Sequence, residues 1–458
     1  MANIDILKKY KHIHMIGIGG VSMSGIAEML KHWGFTVTGS DANYSPIIKK
    51  LQNSGIYVRI GHDVENLSKS DIVVYSAAIK DTDPEVIRAK QLNIPLIERA
   101  DFLGEITKCF EDTIAVSGTH GKTTTTSMIS CCFLEANTDP NIQVGAILKQ
   151  IDGNYRIGNS DFFILEACEY VESFLKFNPK AEIILNIDND HLDYFKTFDN
   201  IKDAFIKYVK ILPKDGVLIL NADDPNCLDL RKYCNAQSIT YGINNKYANF
   251  IAKNITFNKD GYPTFDVYHN NNFYGTFKLS VAGMHNVSNA LSCIAVCNYY
   301  KLPKMNIKDG LLKFTGANRR LEYKGSFNKA DLYDDYAHHP TEILATANSI
   351  KNKEFNESWV VFQPHTYSRT KNLLDDFVIA LENFDNIIIT DIYAAREENI
   401  YNISSQDLVN KIQSSGKKAI YISDFSNISS FLKTHVKEND IVISLGAGTI
   451  TNLANYLI

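Results

Sequence analysis

The sequence lacks the marks of a membrane, secreted or nucleic-acid-binding protein. No stretch approaches the roughly 18 consecutive apolar residues that a membrane span requires, and the first residues, MANIDILKKYKHIHMIGIGG, show no signal-peptide pattern. Lysine and arginine total 47 against 52 acidic residues, a formal net charge of −5, without a long basic run. We therefore expect a cytoplasmic protein that has neither nucleic acid nor membrane as a partner.

The sequence also lacks a cysteine framework. Its eight cysteines form no CxxC pair and no zinc-knuckle spacing, and they lie mainly in apolar surroundings. We therefore interpret them as reduced residues of the core. No internal repeat and no low-complexity tract interrupts the chain.

What the sequence does contain is typical of a large globular protein. At about 150 residues per domain, 458 residues predict three domains. Short apolar runs alternate with helical patterns, including helices at 24–33 and 46–53, which indicates parallel sheets with helical crossovers. We predict a three-domain α/β fold: a Rossmann-like domain at 1–106, a central P-loop domain with a parallel sheet at 107–315, and a Rossmann-like domain at 316–458.

Three segments depart from this alternation. A domain boundary is predicted at 104–112, before the strand TIAVSG. Residues 245–278 carry Asn, Gly and Tyr among alternating apolar positions, which indicates an antiparallel meander, followed by a helix at 285–300. Residues 315–324 lose periodicity and predict a hinge.

The sharpest motif is GTHGKTTTT at 118–126, between the strand TIAVSG and a helical pattern. A turn of small residues points backbone N–H groups at phosphate oxygens, and the helix N-terminus favours negative charge. Lys122 is therefore predicted to bind phosphates, and the Thr123 hydroxyl to reach Mg2+. Because Val116 stands where the strict motif has its first glycine, this is a variant P-loop. The alternative is a chance Gly-Lys-Thr turn.

Two further motifs end apolar strands. Glu166 ends FFILE, and His191 follows AEIILNID. The ligand crevice of an open parallel sheet lies outside the carboxyl ends of its strands, so both residues are predicted to converge on a metal near Thr123. Oxygen ligands favour Mg2+, and a histidine is compatible with Mg2+ or Mn2+. Taken singly, each residue is also explained as a solvated strand end or a satisfied histidine.

Near the N-terminus, GIGGVSMSG at 17–25 follows a strand and opens a helix, and Asp41 lies about twenty residues on. The pattern resembles a dinucleotide fingerprint, but Ser22 occupies the position of the third glycine. It therefore predicts a bound nucleotide diphosphate more strongly than NAD.

The remaining polar motifs are less specific. Asn286 and Asn289 are predicted to share one face of a helical turn and to meet a base and its phosphates. In the third domain, His338 and Arg369 are candidates for recognising a carboxylate. Each pair is alternatively a helix cap or a surface polar cluster.

Together these motifs resemble those of the ATP-dependent Mur ligases of peptidoglycan synthesis, which share the P-loop variant with folylpolyglutamate synthetases. The order of GIGGVSMSG, GTHGKTTTT, NIDNDHLDYF, DDYAHHPTE and FQPHTYSRT extends the resemblance over essentially the whole chain. It implies a three-domain ligase with ATP and Mg2+, acting on UDP-N-acetylmuramate and L-alanine. The lactyl carboxylate would be activated as an acyl phosphate and captured by the amine, giving an amide, ADP and phosphate. The third domain would close over the site to exclude water.

The resemblance also implies roles for individual residues. The UDP part of the substrate would be held by Gly19, Gly20, Asp41, His62 and Ser76. ATP would be held by Gly118, Thr119, His120, Gly121, Lys122, Thr123, Thr124, His285, Asn286, Asn289, Arg320 and Asp335. The metal ligands would be Thr123, Glu166 and His191. L-alanine would meet Tyr336, His338 and Arg369, and catalysis would involve Lys122, His191, His338 and Arg369, with His191 or His338 accepting the ammonium proton.

Departures from the family pattern occur at Ser22, Cys168, Tyr170 and Asn318. Three other functions remain open at this point: a ligase that attaches a murein tripeptide to the same UDP-sugar, an NAD-linked oxidoreductase, and a non-catalytic nucleotide-binding regulator. The chain would be a monomer or a homodimer.

Overall fold

The computed structural model describes residues 2–67, 70–395 and 397–458. The chain forms two compact units, one made of Met1–Phe250 and Ser292–Gly310, the other of Ile251–Leu291 and Leu311–Ile458. Within the described ranges, no helix is both long enough and apolar enough to cross a membrane.

The first unit begins with a parallel five-stranded sheet. Its elements are β1 (His12–Ile16), α1 (Val21–His32), β2 (Thr36–Asp41), α2 (Pro46–Asn53), β3 (Tyr57–Ile60), β4 (Ile72–Tyr75), α3 (Pro84–Gln91), β5 (Leu96–Glu98) and α4 (Arg99–Thr107). The strand order is β3-β2-β1-β4-β5, the order of a Rossmann half, which confirms the predicted fold of this region. Helix α1 begins at Val21 rather than at the predicted residue 24, because Gly20 is the last extended residue and serves as the N-cap.

A second sheet follows in the same unit. Its elements are β6 (Asp112–Ser117), α5 (Lys122–Glu135), β7 (Asn141–Leu148), β8 (Gly153–Arg156), β9 (Phe162–Glu166), β10 (Ala181–Ile184), α6 (Leu192–Phe195), α7 (Phe198–Ile211), β11 (Val217–Asn221), α8 (Pro225–Asp229) and β12 (Gln237–Gly242). Within this unit the order is β12-β11-β10-β6-β9-β7-β8, parallel except for the pair of β7 with β8. The predicted parallel central sheet is confirmed.

The two sheets of the first unit share an apolar core. The ring of Trp33, after α1, lies 6.0 Å from that of Phe110, which in turn lies 4.9 Å from that of Phe163 in β9. All three belong to or pack against one buried cluster. The sheets of the first two predicted domains therefore belong to a single compact unit.

The chain then enters the second unit. It forms β13 (Phe250–Phe257), β14 (Pro263–His269), β15 (Asn272–Lys278), α9 (Met284–Tyr299) and α10 (Lys304–Lys313). Strands β14 and β15 pair antiparallel, as the composition of 245–278 predicts. The chain returns to the first unit within α9, at Ser292, and leaves it within α10, after Gly310.

The second unit ends with a six-stranded sheet. Its elements are β16 (Glu322–Phe327), β17 (Ala330–Asp335), α11 (Pro340–Ile350), β18 (Ser358–Phe362), α12 (Tyr367–Asn372), α13 (Leu374–Leu381), β19 (Asn386–Ile389), α14 (Ser405–Ser414), β20 (Ala419–Tyr421), α15 (Phe425–His435), β21 (Ile441–Leu445) and α16 (Ala454–Leu457). The order is β16-β17-β21-β18-β19-β20, with only β16 antiparallel. The end of the predicted hinge at 315–324 therefore already belongs to strand β16.

All eight cysteines are free thiols, and six of them are buried. The prediction that they belong to the core is wrong for Cys168, which is exposed, and for Cys234, which is half-buried. Cys168 lies beyond the end of β9, where the strand has left the interior of the sheet.

Candidate active site

The P-loop lies between β6 and α5, at the carboxyl end of the central sheet. Gly121 has φ +86°, in the left-handed region that favours glycine, and it is the N-cap of α5. Gly121 has no side chain with which to cap this helix, so the first backbone N–H groups of α5 can bind an anion. The Lys122 ammonium donates to the carbonyls of Gly118 at 2.5 Å and Thr119 at 3.1 Å, which holds it against the loop.

The counter-charge of Lys122 is Glu169, a residue that the sequence motifs did not identify. The ammonium lies 2.9 Å from one Glu169 carboxylate oxygen and 3.2 Å from the other. Glu169 is 1% exposed. Burial acts to lower the pKa of Lys122, but the attraction of Glu169 outweighs it and raises that pKa. The only sequence signal for Glu169 was its position three residues after Glu166.

Thr123 and Glu166 meet beside this pair. The Thr123 hydroxyl donates to the Glu166 carboxylate at 3.1 Å, and the backbone N–H of Gly145 donates to its other oxygen. A hydroxyl and a carboxylate at the end of a phosphate-binding loop form a hard oxygen donor set, which fits Mg2+.

His191 lies at the start of α6, beside Glu169. It has φ +56° and is the N-cap of α6, and its imidazole packs against the Tyr170 ring, with ring centroids 4.7 Å apart and a tilt of 38° between the planes. Its Nε2 lies 3.7 Å from Glu169 and 3.9 Å from Asp190, and among the described residues it forms no ion pair with Glu166. The structure therefore brings Thr123 and Glu166 together, and groups His191 with Glu169.

Residues 186–188, after β10, tie the P-loop to the sheet. The backbone N–H of His120 donates to the Asn186 side chain at 2.8 Å, and its imidazole lies 3.0 Å from the Asp188 carboxylate. The Thr119 hydroxyl accepts from the N–H of Asp188 at 2.9 Å. Thr124 lies in the first turn of α5. The loop conformation is thus fixed by the neighbouring strand end.

The glycine-rich turn of the first sheet lies beside Asp41 and Ser76, so four of the five predicted UDP residues are neighbours. The backbone N–H of Gly19 donates to Asp41 at 2.9 Å, and Gly20 caps α1. Ser76 follows β4, and its N–H donates to the carbonyl of Ile16 at the end of the adjacent strand β1. The carboxyl ends of the neighbouring strands β1, β2 and β4 therefore carry the glycine turn, Asp41 and Ser76 respectively.

His62 pairs through Nδ1 with Asp83, the N-cap of α3. Its Nε2 is buried without a hydrogen-bond partner among the described residues. A buried, unpartnered nitrogen is available for a ligand.

Ser22, which replaces the third glycine of the fingerprint, has a structural role. Its hydroxyl accepts from the Gln143 amide of β7 at 2.6 Å and from Arg99 of α4 at 3.4 Å. It therefore connects the start of α1 to the second sheet of the same unit.

In the second unit, Asn286 and Asn289 face each other, as their spacing predicts. Both are 7% exposed, and the Asn289 amide donates to the Asn286 side-chain oxygen at 3.2 Å. His285 is exposed in the same helical turn. The guanidinium of Arg320 lies 5.2 Å from the centre of the Tyr336 ring.

Tyr336 begins a series of four side chains in which each contacts the next. The Tyr336 and His338 rings are 5.3 Å apart, and those of His338 and His365 are 5.6 Å apart. His365 in turn lies 3.2 Å from a guanidinium nitrogen of Arg369. The structure therefore brings together the three predicted amino-acid-binding residues, with His365 of the FQPHTYSRT motif between His338 and Arg369.

Asp335 is a buried carboxyl at the end of β17. It accepts from the Thr346 hydroxyl at 2.8 Å and from the N–H of Ala337 at 3.0 Å. Burial raises its pKa to about 6, against the opposing attraction of Arg320.

Comparison with known proteins identifies the family. The model for the Mur ligase middle domain matches residues 116–297, that for the Mur ligase family catalytic domain matches 12–111, and that for the Mur ligase glutamate ligase domain matches 319–448. The chain belongs to the Mur ligase family. As a Mur ligase it is an ATP-dependent enzyme that forms C–N bonds.

Individual Mur ligases resemble the chain along its whole length. A UDP-N-acetylmuramate–L-alanine ligase of Acetivibrio thermocellus is 48% identical over 452 residues, covering 98% of this chain and 96% of the relative. One from Clostridium botulinum (strain Loch Maree) is 47% identical over 457 residues, covering 100% and 99%.

Solved structures of Mur ligases agree with the fold. The UDP-N-acetylmuramate-alanine ligase of Thermotoga maritima superimposes with a TM-score of 0.82 at 28% identity, covering 98% of each chain. A murein peptide ligase of Psychrobacter arcticus superimposes with a TM-score of 0.72 at 24% identity, also covering 98% of each chain, which supports the fold alone.

The buried Asp335 carboxyl gives this Mur ligase a predicted pH dependence. Because its pKa is about 6 in the folded chain and near 3.8 when unfolded, the folded chain binds the proton more tightly. The resulting stability is present below about pH 4 and lost as the pH rises through about 6, by up to about 3 kcal/mol. Asp335→Asn should remove this dependence. Urea unfolding of the wild type and of Asp335→Asn between about pH 4 and pH 7 tests this pH dependence. If the difference in unfolding free energy between the two proteins did not change with pH, the prediction would be contradicted.

Proposed function

We propose that this chain joins L-alanine to the lactyl carboxylate of UDP-N-acetylmuramate, while ATP is converted to ADP and phosphate. The observation that carries the proposal is the 48% identity, over 98% of the chain, to a relative named for these two substrates. The P-loop supports it, because a carboxylate must be activated by phosphorylation before an amine can displace its oxygen.

ATP is proposed to bind at the P-loop of the first unit. The uncapped N-terminus of α5 and the Lys122 ammonium offer hydrogen-bond donors and positive charge to the phosphates. Lys122 would stabilise the charge that grows on the phosphoryl oxygens as the substrate carboxylate attacks. The adenine end is assigned to His285, Asn286 and Asn289, with Arg320 and Asp335 completing the nucleotide set.

A magnesium ion is proposed at Thr123 and Glu166, whose oxygens lie 3.1 Å apart. Bound there, Mg2+ would supply positive charge to the phosphates. From the family resemblance, His191 is also proposed as a metal ligand. Because its imidazole lies 3.7 Å from Glu169, we propose that it also orients the Glu169 carboxylate next to Lys122. Mn2+ is an alternative ion of similar ligand preference.

The UDP part of the substrate is assigned to Gly19, Gly20, Asp41, His62 and Ser76. The helix start at Gly20 suits a diphosphate, and Asp41 lies beside it to accept from a ribose hydroxyl.

L-alanine is assigned to the second unit, where Arg369 would pair with its carboxylate. Tyr336 and His338 would line the same pocket. The amine must lose a proton before it attacks the acyl phosphate, and an imidazole has the appropriate pKa range. His191 and His338 are both proposed for this step.

Three further properties belong to the same proposal. We propose domain boundaries near residues 106 and 315; the three family models match residues 12–111, 116–297 and 319–448. The location is the cytoplasm, where the UDP-sugar and ATP would be available. The chain would act as a monomer or a homodimer.

The substrate assignment is tested by measuring ADP formation with UDP-N-acetylmuramate and a panel of amines. L-alanine should give the highest kcat/KM, and glycine, which lacks the methyl group, should be lower by about tenfold. A higher kcat/KM with the murein tripeptide than with L-alanine would favour the peptide-recycling ligase. NADH oxidation without phosphate release would favour an oxidoreductase, and no turnover with any amine would favour a regulator.

A further inference from the structure

Three cysteines meet in the interior of the first unit, and none of them is assigned to the ligase reaction. The Cys132 sulfur of α5 lies 3.6 Å from that of Cys293, which lies 3.9 Å from that of Cys297, both on α9. All three sulfurs lie within 4.8 Å of one another. Each residue is 0% exposed. The cluster therefore places three soft donor atoms around one point.

The backbone holds this cluster in position. Cys293 and Cys297 are one helical turn apart, so they project from the same face of α9. Cys132 is held from the other side by α10, because a Cβ atom at Gly310 would lie only 2.5 Å from the Cys132 Cα. The Cys132 sulfur also lies 3.5 Å from the carbonyl oxygen of Ile307. Three helical segments of one compact unit thus fix the spacing of the sulfurs.

The spacing suits a three-coordinate metal. With metal–sulfur bonds of about 2.3 Å, three sulfurs around a central ion are separated by about 4 Å, close to the 3.6 and 3.9 Å observed. Thiolates select soft cations such as Cu(I) and Zn2+. Zn2+ prefers four ligands in a structural site, whereas the cluster found among the described residues has three. The donor set therefore favours Cu(I).

We propose that Cys132, Cys293 and Cys297 form a binding site for one Cu(I) ion. The thiols release protons when they bind the ion. Because the cluster is buried, the ion would enter during local opening of α9 or α10. Bound Cu(I) would link α5, the helix that begins with Lys122, to α9 within the first unit.

The test is an anaerobic titration of the reduced full-length chain with Cu(I), in competition with bicinchoninate. One equivalent should bind. Loss of a residue that supports a metal ligand costs about 10- to 100-fold in metal affinity, and loss of a ligand itself costs more. We therefore expect each of three variants to bind Cu(I) more than about 100-fold more weakly: Cys132→Ser, Cys293→Ser and Cys297→Ser. Cys131→Ser is the matched control, because Cys131 is a buried neighbour on the same helix outside the cluster, and it should bind as the wild type does.

The proposal would be overturned if Cys131→Ser lost as much affinity for Cu(I) as the cluster variants do. It would also be overturned if the wild type bound Cu(I) no more tightly than the triple serine variant. Binding of Zn2+ but not Cu(I) would overturn the choice of ion. Far-UV circular dichroism checks that each variant folds. X-ray absorption at the copper edge of the wild type requires no variant, and it should report three sulfur ligands; two would contradict the site. None of these outcomes depends on ligase activity.

Discussion

Replacing Lys122 with alanine is expected to lower the rate of ATP-dependent amide formation by about a thousandfold or more. Lys122 is the positive charge held at the P-loop by Gly118 and Thr119, and no other cation is proposed there from the side chains of this unit. Phosphate release coupled to amide formation measures the effect. Binding of UDP-N-acetylmuramate, followed by calorimetry, should remain close to that of the wild type.

Because Lys122 pairs with the buried Glu169, this experiment needs controls that separate loss of activity from loss of stability. Lys122→Ala leaves the Glu169 carboxylate buried without its ammonium, which costs about 3–5 kcal/mol of stability. The double variant Lys122→Ala/Glu169→Gln removes that unpaired charge, so it should fold better and remain inactive. Lys207→Ala removes a lysine whose ion pair with Glu172 is at the surface, and it should retain full activity. Substantial turnover by the double variant would contradict the assignment of Lys122.

Glu166→Gln should give the second large effect, a loss of about a hundredfold in kcat that excess Mg2+ restores only in part. The amide keeps the shape of the side chain and still accepts from Thr123, but it lacks the charge that a divalent cation requires. The measurement is the initial rate of ADP formation as a function of Mg2+ concentration. The concentration for half-maximal rate should shift upward.

Glu172→Gln provides the matched control, because Glu172 follows the same strand and pairs with Lys207 outside the P-loop. Its Mg2+ dependence should equal that of the wild type. If Glu166→Gln has the same Mg2+ dependence as Glu172→Gln, the proposed metal position is wrong, while the role of Lys122 is unaffected.

The sequence was most informative where chemistry depends on neighbours in the chain. The P-loop, the glycine turn at 17–20 and the Asn286–Asn289 pair are local patterns, and the structure has the predicted elements around each of them. Buried parallel strands such as β9 and β10 are continuous apolar runs, which the sequence displays directly.

Contacts between distant segments were less accessible to sequence analysis. The pairing of Glu169 with Lys122 joins residues 47 positions apart, and its only local signal was the spacing to Glu166. His365 lies inside the FQPHTYSRT motif, but its place between His338 and Arg369 depends on contact between the segments that follow β17 and β18. Ser22 departed from a glycine pattern, and only its contact with Gln143 explains why a hydroxyl is useful there.

The sequence by itself determined the α/β architecture, the family and the position of the P-loop motif between a strand and a helix, because periodicity, turn chemistry and motif order are properties of short segments. Only the tertiary structure decided which charge opposes Lys122, which side chain Thr123 meets, and that Cys132 joins Cys293 and Cys297. The physical reason is that helix packing and strand order determine contacts across long separations in sequence, and no local pattern encodes those distances.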